Sequence, residues 1–575
     1  MKRSRVGEGI AAALLMALAA LGAQVSAASD GAGSGFQETW WQYPRHDPQN
    51  RSAIEFGFSG PLSEPAIEWV LTAYRGAIGS EQPGDALFEN QWGTYICIAD
   101  ADGDDELELI TAEYRWSAEP WGVAKRMYLC CRSLMLGHEE WSYPLEQQEF
   151  VQWASPNVMD IDCDGTMEVV FGADPDRIVV LSGGTGKLWL SNTQWPFPDP
   201  SCLMAGHLDA QAAGVFVTSH GGKLHEGKLH EGKFCALFTV DRAPQQSFAH
   251  ATSTWSKPTD GNAYCLPALA DLTPGQPPGT RILFHTHSHD NEKLYCLAAD
   301  GTESWSFAGS PSPAQIANAP LDEGFIRNPG YTSPIVADFL NDEAGALEVF
   351  FQTRCQAYML DHEGQVLWSV PMIEGYGGQI RHKYDSDGVL VESTVEDATG
   401  KNGHRGDYAA AGDLNGDGQA DIVMGLLPEY LKTYGVEAGS EEVIWESVTI
   451  EKIDQRNAIW ALDGATGKPL WTFEGNYAST ESTEAMRLPI LVDLTGDGLL
   501  DVVTISKDTN LYGIRGTDGA ELWQFALGSE YIWSELMGAC VVGGDLMLVV
   551  IARDMMGASA ANTRLQLLRL QAQAP

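Results

Sequence analysis

Short apolar runs alternate with polar turns along most of the chain. Runs such as 422–424 are brief and rich in β-branched residues, which is typical of β-strands. A complete unit consists of a strand, an acidic loop, a second strand, a connection, a third strand, a glycine turn and a fourth strand with Trp. The clearest second half is IWALDGATGKPLWTF at 459–473, where alternation around a glycine turn predicts a β-hairpin.

This unit recurs seven times between residues 91 and 526. In the third copy, the hairpin at 235–250 carries Phe248 in place of Trp. An eighth copy at 537–571 has three strands, and EPAIEWVLTAY at 64–74 supplies the missing Trp strand. Four strands per unit at such a period are typical of propellers. The sequence therefore predicts an all-β fold, a single eight-bladed β-propeller of four-stranded antiparallel blades, closed by an N-terminal strand.

The expected organisation has three parts: a signal peptide at 1–27, an N-terminal segment at 28–63 and the β-propeller at 64–575. The approximate blade boundaries are 91–145, 151–192, 200–250, 264–308, 331–370, 407–474, 487–526, and 537–571 together with 64–74.

The loop between the first two strands of a unit carries oxygen-bearing side chains at alternate positions. In AAGDLNGDGQADIVMGL at 410–426, Asp413, Asn415 and Asp417 alternate, two glycines let the backbone curl, and Asp421 follows at the ninth position. A single loop of this kind could be a solvated acidic turn. However, Ca²⁺ takes about 6–8 oxygen ligands, and oxygen side chains at positions 1, 3, 5 and 9 of a bent loop suit it.

Four intact copies favour metal binding over chance. The predicted metal ligands are Asp100, Asp102, Asp104, Glu108, Asp160, Asp162, Asp164, Glu168, Asp413, Asn415, Asp417, Asp421, Asp493, Thr495, Asp497 and Asp501. A stretched copy offers Asp338, Asp342 and Glu348, and two decayed copies lie around Asp209 and Asp271. The expected cofactor is therefore Ca²⁺, several ions per chain.

Composition limits the classes of partner that the protein is expected to bind. The chain has 35 Lys and Arg against 78 Asp and Glu, a net charge of −43, which argues against nucleic acid because phosphate binding needs the opposite sign. No later apolar run is long enough for a membrane span.

The first residues predict a cleavable secretory signal. Lys2, Arg3 and Arg5 precede an apolar run at 10–21, and 25–27 fits a small-residue cleavage site. No cysteine follows, so no lipoprotein anchor is expected. Cleavage would leave a net charge near −45 and would make the protein secreted or periplasmic.

Strand order assigns the connections to two faces. Acidic loops and glycine turns share one face, and connections after the second and fourth strands share the other, the connection face. Long connections are expected on the connection face at 74–93, 111–126, 192–201, 219–233, 250–263, 309–332, 371–407 and 425–457. Long segments on a rigid scaffold commonly carry function.

These connections are rich in aromatic and basic residues, which suit sugars and anionic polymers. The same residues could instead pack the connections onto one another. The candidate ligand-binding residues are Arg381, His382, Lys383, Tyr384, Arg405, Trp116 and Trp121. The chain has no GxSxG, HExxH or phosphate-loop motif, so no catalytic residue is assigned.

The acidic loops resemble the FG-GAP, or VCBS-like, calcium repeats of integrin type. The Trp hairpins and the segment WWQYPRHDPQN at 40–50 resemble PQQ-type propeller repeats. Together these resemblances cover nearly all of the chain after the signal. They imply a calcium-binding propeller and leave its chemistry open.

Three hypotheses for function remain open. The first is a secreted calcium-binding propeller that binds an extracellular glycan or protein without catalysis. The second is a polysaccharide lyase, because the chain resembles rhamnogalacturonan lyases in blade count and calcium loops. A lyase needs a cation or Arg beside a Lys, His or Tyr base, and residues 381–384 supply these types.

The third hypothesis is a PQQ-dependent dehydrogenase, some of which carry a ring of two adjacent cysteines. Here Cys130 and Cys131 lie in the strand-like run MYLCCRSLML, whose extended backbone does not favour such a ring, so PQQ is disfavoured as a cofactor. Separately, His285, His287 and His289 alternate along a strand. This spacing could bind Zn²⁺ or Cu²⁺ or could be a polar strand end.

Overall fold

The fold was obtained as a computed structural model. It describes residues 46–47, 49, 51–76, 86–87, 96–119, 122–145, 156–162, 164–173, 177–192, 200–208, 212–219, 224–225, 228–229, 234–241, 252–259, 266–273, 279–287, 292–309, 333–341, 345–352, 356–371, 379–384, 390–396, 403–429, 432–436, 443–447, 458–474, 487–505, 510–527, 533–554 and 561–573. Within these residues all regular structure is β. None of the described segments forms a helix with the length and apolarity needed to cross a membrane. The predicted signal peptide lies outside the described residues.

The described strands, in chain order, are β1 (Ala53–Ile54), β2 (Ala66–Gly76), β3 (Ala86–Leu87), β4 (Cys97–Ala99), β5 (Glu108–Glu119), β6 (Gly122–Ser133), β7 (Glu139–Pro144), β8 (Asn157–Met159), β9 (Glu168–Ala173), β10 (Arg177–Ser182), β11 (Leu188–Asn192), β12 (Pro200–His207), β13 (Ala212–Ser219), β14 (Leu224–His225), β15 (Lys228–Leu229), β16 (Phe234–Asp241), β17 (Thr252–Pro258), β18 (Ala268–Ala270), β19 (Arg281–His287), β20 (Glu292–Ala298), β21 (Glu303–Gly309), β22 (Ile335–Ala337), β23 (Glu348–Gln352), β24 (Gln356–Leu360), β25 (Val366–Pro371), β26 (Gln379–Tyr384), β27 (Leu390–Glu396), β28 (Gly403–Gly412), β29 (Asp421–Glu429), β30 (Lys432–Val436), β31 (Val443–Ser447), β32 (Ala458–Leu462), β33 (Pro469–Glu474), β34 (Arg487–Val492), β35 (Asp501–Ile505), β36 (Asn510–Ile514), β37 (Glu521–Ala526), β38 (Trp533–Val542), β39 (Asp545–Asp554) and β40 (Ala561–Leu570).

The strands form a β-propeller of seven blades, each built from its own stretch of chain. In chain order, the blades are β4–β7, β8–β11, β12–β13–β16–β17, β18–β21, β22–β25, β28–β29–β32–β33 and β34–β37. The predicted count of eight blades is wrong. The remaining propeller sheet is a closure sheet that joins β38–β40 to β2 from the other end of the described chain.

Two sheets also depart from four antiparallel strands. The first blade gains β3, which pairs with the long second strand β5, and the seventh blade gains β1. The pairing of β1 with β34 is parallel, because the N-terminal segment runs alongside β34 in the same direction.

A ring of first strands surrounds the axis. The first strands of the seven blades and β38 of the closure sheet contact one another in sequence, and β38 contacts β4 to complete the ring. Among the described residues, six apolar clusters lie between successive blades, and each draws its side chains mainly from two neighbours. A seventh cluster surrounds the closure sheet with side chains from the first and seventh blades, and it also takes in Ile54, Phe58 and Leu62 of the N-terminal segment.

Tryptophans on the outermost strands of six sheets each link that sheet to the next one in the described ring. Their indole nitrogens donate to backbone carbonyls of the next glycine turn, at 2.5–2.8 Å. The pairs are Trp69 with Leu134, Trp141 with Gly183, Trp255 with Ala299, Trp305 with His362, Trp368 with Gly464 and Trp471 with Gly516. The contact made by Trp69 confirms that an N-terminal strand supplies the missing Trp. In the third blade this role belongs to Trp255, so the expectation for Phe248 is wrong.

Several of the expected connections contain strands. Residues 111–126 belong mostly to β5 and β6, which pair along their full length, so the expected long connection there is wrong. The connections 371–407 and 425–457 contribute β26, β27, β30 and β31, which form a separate four-stranded sheet, the insert sheet, in the order β27–β26–β31–β30.

Candidate functional site

The acidic loops of the first, second, sixth and seventh blades share one pattern of hydrogen bonds. The aspartate at position 1 accepts backbone N–H groups from further along its own loop. Asp413, for example, accepts the amides of Gly416 at 2.7 Å and Gly418 at 3.0 Å. Asp100, Asp160 and Asp493 make equivalent bonds. The first carboxylate therefore shapes the loop.

The curl of these loops requires positive φ at two positions. Gly416 and Gly418 have φ of 81° and 80°, as the sequence predicted from these glycines. Gly496 and Gly498 repeat this at 72° and 86°. In the first blade Asp105 occupies the later of these two positions, the sixth of the loop, with φ of 71°. This conformation costs free energy for a residue with a Cβ.

The residue at position 2 anchors the loop, and its amide binds the carboxylate at position 9. Leu414 is fully buried, and its N–H donates to Asp421 Oδ2 at 3.2 Å. In the first blade Ala101 donates to Glu108 Oε2 at 2.7 Å. The ninth carboxylate thus ties the loop to the second strand.

Burial raises the pKa of each ninth carboxylate, and backbone donors limit the rise. Glu108 and Glu168 each accept one amide from position 2, and their pKa values rise to about 8. Asp421 accepts two amides, and its pKa rises to about 7. Asp501 accepts three, and its pKa rises to about 6. Nearby carboxylates add to each rise, so negative charge in these loops is costly without a positive partner.

Carboxylate oxygens converge in two of these loops. One ligand oxygen from each of Asp100, Asp102 and Glu108 lies within 4.8 Å of the others, and Asp160, Asp162 and Glu168 repeat this arrangement. The other two loops have Asn415 and Thr495 at the third position. The donors are all oxygens, which is the set that a hard cation such as Ca²⁺ prefers. These residues therefore fit the expected cation.

The stretched copy keeps part of the same scheme. Phe339, at its second position, is fully buried and donates its amide to Glu348 Oε2 at 2.9 Å. Asp338 accepts the amide of Asn341, which takes the positive φ that a glycine has in the sixth and seventh blades. Asp342 and Asp209 lie outside the described residues.

Neighbouring loops are hydrogen-bonded to each other around this face. The amide of Leu500, at position 8 of the seventh-blade loop, donates to the carbonyl of Asp413 at 3.2 Å. Ala420 in the sixth blade likewise donates to the carbonyl of Asp338 at 3.0 Å. Backbone hydrogen bonds therefore join the loops of the fifth, sixth and seventh blades to one another.

The candidate ligand-binding residues are spread over several elements. Arg381, His382, Lys383 and Tyr384 lie on β26, inside the insert sheet, where Lys383 is opposite Glu392 and Ile444. Arg405 lies on β28 of the sixth blade, opposite Leu427. Trp116 is on β5, opposite Lys125, and Trp121 lies outside the described residues. The backbone thus groups the four residues of β26 and separates them from Trp116.

The first blade carries a charged network that no sequence pattern indicated. Glu113, only 1% exposed, accepts the Nε of Arg115 at 2.6 Å and a guanidinium nitrogen of Arg132 at 3.0 Å, and Glu139 pairs with both arginines. The two carboxylates and the Cys130 thiol lie close enough to hold a metal, but the arginines already neutralise them. The residues come from three strands, so no local motif predicts the network.

Cys130 and Cys131 are free thiols in the extended strand β6. The Cys130 sulfur lies 2.9 Å from the Arg115 guanidinium, whereas Cys131 packs in the apolar cluster shared with the second blade. Burial raises the pKa of both thiols. Of the alternating histidines, His285 is 2% exposed and packs edge-on against Phe351, which is a core position.

Comparison with known proteins places the fold. The family described as outer membrane protein assembly factor BamB matches residues 353–568. A search of the curated proteins found none that matches this chain. Among solved structures, the quinohemoprotein alcohol dehydrogenase from Comamonas testosteroni is 12% identical, with a TM-score of 0.53, covering 96% of this chain and 85% of that one.

Two further structures are similar. The quinohemoprotein alcohol dehydrogenase ADHIIG from Pseudomonas putida HK5 is 11% identical, with a TM-score of 0.51, covering 94% of this chain and 81% of that one. BamB from Moraxella catarrhalis is 12% identical, with a TM-score of 0.40, covering 84% and 99%. The chain is therefore a β-propeller, and its match to PQQ-like repeats extends over residues 353–568. At such low identity the similarity extends to the fold alone.

Proposed function

We propose that this protein is a calcium-binding propeller of FG-GAP type that is exported and binds an extracellular glycan or protein through its connection face. The observation that carries the proposal is the repeated acidic loop. Four copies bring oxygen donors onto one Gly-bent backbone and bury a carboxylate whose charge a cation would stabilise.

In this proposal calcium has a structural role. The ligand set in each loop would be the side chains at positions 1, 3, 5 and 9. The ion would offset repulsion among these carboxylates, and binding to the folded state alone would stabilise it by ~3 kcal/mol at about a hundredfold excess over Kd.

The ligand would bind on the opposite face, near the insert sheet. This sheet is made from the connections of two different places in the chain and is additional to the propeller sheets. It carries Arg381 and Lys383 on one strand, so an anionic glycan would meet positive charge here despite the net charge of −43. Such charge-assisted bonds weaken with salt.

Two measurements test the two halves of the proposal. Elemental analysis of the purified protein, with melting curves in calcium and in EDTA, tests the metal. No bound calcium and an unchanged melting temperature would contradict it.

A screen of immobilised glycans tests the ligand, with an Arg381→Ala, Lys383→Ala double variant and a Lys187→Ala, Lys468→Ala double variant as a charge-matched control. The control residues lie on glycine turns, which share the face of the acidic loops and not the connection face. Uronate-containing glycans should bind to the wild-type protein, and this binding should be lost only in the Arg381→Ala, Lys383→Ala variant. Binding of neutral glycans alone, with both variants unaffected, would contradict the role of Arg381 and Lys383. Absorbance that appears near ~235 nm during incubation would indicate lyase chemistry instead.

A further inference from the structure

The N-terminal segment 46–62 lies along the inner edges of three blades. The backbone carbonyl of Gln49 accepts the amide of Val336 at 3.1 Å, and that of Arg51 accepts the amide of Ala411 at 2.9 Å. The carbonyl of Ser52 then accepts the amide of Leu491 at 3.0 Å.

These three amides belong to the first strands β22, β28 and β34. One edge of each strand pairs with the second strand of its own blade, so the other edge faces the axis. A propeller leaves such inner edges without a strand partner, and exposed strand edges are a liability. The N-terminal segment supplies backbone partners for the fifth, sixth and seventh blades in turn.

The first part of the segment, up to Ile54, is largely buried. His46 and Asp47 are fully buried, as is Ile54, and Ser52 is 2% exposed. His46 and Ser52 take positive φ of 75° and 56°, which persists only where the surroundings impose it.

Asp47 fixes the bend in the segment. Its two carboxylate oxygens accept the backbone amide of Arg51 at 3.0 Å and the side-chain Nε of the same residue at 2.7 Å. The carbonyls that meet the blades are therefore oriented by an internal clamp.

The later part of the segment reaches the acidic-loop face. It runs parallel to β34, whose end leads into the acidic loop 493–501. There the amide of Leu62 donates to the carbonyl of Leu494 at 2.7 Å. The backbone of Gly60 approaches so closely that a Cβ on Gly496 would lie 2.5 Å from it.

Other first strands are linked without this segment. The amide of Ala205 in the third blade donates to Asn157 Oδ1 at 3.0 Å, and that of Leu266 in the fourth blade donates to Ser333 Oγ at 3.0 Å. The described ring therefore has side-chain links on one side and the N-terminal segment on the other.

We propose that residues 46–62 form an axial strap, a conformational device that fastens the fifth, sixth and seventh blades to one another from inside the ring. The fastening of the third and fourth blades is independent of it. This inference does not depend on bound calcium or on a ligand.

Amide hydrogen exchange tests the strap. The compared variants lack residues 28–54 or, as the matched control, residues 28–45. Without 28–54, the amides of Val336, Ala411 and Leu491 should exchange roughly tenfold faster or more, since each loses a buried hydrogen bond. Those of Ala205 and Leu266 should keep their rates, and the control deletion should change none of the five. Unchanged rates at all five amides would overturn the proposal.

A point variant covers the case in which the longer deletion fails to fold. Asp47→Ala removes the clamp and leaves the chain intact. Faster exchange confined to Val336, Ala411 and Leu491 supports the strap. Equal acceleration at Ala205 and Leu266, or no change at any of the five amides, overturns it.

Discussion

At the scale of single residues, the acidic loops show how backbone geometry and charge compete. Asp105 stands where the sixth and seventh blades have Gly418 and Gly498, and it takes the same positive φ. A side chain at this φ clashes with its own backbone, whereas glycine does not. The first-blade loop therefore stores strain that those two copies avoid.

We expect Asp105→Gly to stabilise the protein by roughly 0.5–1 kcal/mol, because relief of this strain outweighs the added entropy of glycine in the unfolded chain. The control is Glu106→Gly at the next residue, which does not have positive φ and should destabilise by a similar amount. Chemical denaturation of both variants measures the difference. Equal destabilisation by the two substitutions would contradict the strain argument.

The buried carboxylate of Asp47 makes stability depend on acid pH. Burial alone would raise its pKa, but the charge of Arg51 and the contact with His46 more than offset this, so the pKa lies below its usual value. A carboxyl whose pKa is lowered in the fold stabilises above its unfolded pKa. That stabilisation disappears as the pH falls through the folded pKa.

We expect Asp47→Asn to lower the free energy of unfolding by about 1–3 kcal/mol at pH 7, with a deficit that shrinks below pH ~4. Denaturation of wild type and variant across this range measures it. Glu55→Gln removes the exposed partner of Arg51 and should cost less than about 0.5 kcal/mol at every pH. A deficit for Asp47→Asn that stays constant down to pH ~2 would be inconsistent with this charge assignment.

At the scale of elements, the outer Trp strands act as joints between sheets. Trp305 donates its indole N–H to the carbonyl of His362 at 2.8 Å, and its ring covers Gly364. A Cβ at Gly364 would lie 2.6 Å from the ring, so only glycine allows this contact. The pairing explains why Gly turns and Trp strands recur together in the sequence.

We expect Trp305→Phe to cost about 1–3 kcal/mol, through the lost hydrogen bond and the smaller ring. Gly364→Ala should also destabilise, and the two changes together should cost less than their sum by about 0.5–3 kcal/mol, since the smaller ring relieves the clash. Gly103→Ala is the control, because Gly103 has the same φ but open space around it. The cost of Gly103→Ala should add to that of Trp305→Phe in the double variant. If these two changes were also non-additive, the contact between Trp305 and Gly364 could not be the cause of the coupling.

At the scale of the whole molecule, the acidic loops join neighbouring blades into one unit. The hydrogen bonds from Leu500 to Asp413 and from Ala420 to Asp338 cross blade boundaries. A change in one loop is therefore transmitted to the next. In the proposed function, calcium would stabilise the whole ring and not one blade.

We expect Asp417→Ala to lower bound calcium by about one ion and to shift a single cooperative melting transition downward in calcium. In excess EDTA the same variant should be as stable as wild type or slightly more stable, because one repelling carboxylate is gone. Glu363→Ala, which removes an exposed charge on the glycine turn of the fifth blade, is the control and should behave alike in both conditions. A separate early transition in Asp417→Ala would argue against coupling between blades.

The sequence by itself determined the local units of this protein. Alternating apolar residues, glycines at positive φ and the Asp of position 1 act within one loop or hairpin, so the strands, turns and acidic loops follow from neighbours in the chain. The Trp strand at 64–74 was also predictable, because a propeller must close its last sheet.

The tertiary structure decided what depends on distant residues. It determined that there are seven blades and a closure sheet, and that Trp255 makes the contact from the third blade to the next one. It also determined that the insert sheet forms from two separate connections. It also placed residues 46–62 inside the ring and assembled the network around Glu113 from three strands. Each of these rests on contacts between segments far apart in sequence, and no local periodicity carries that information.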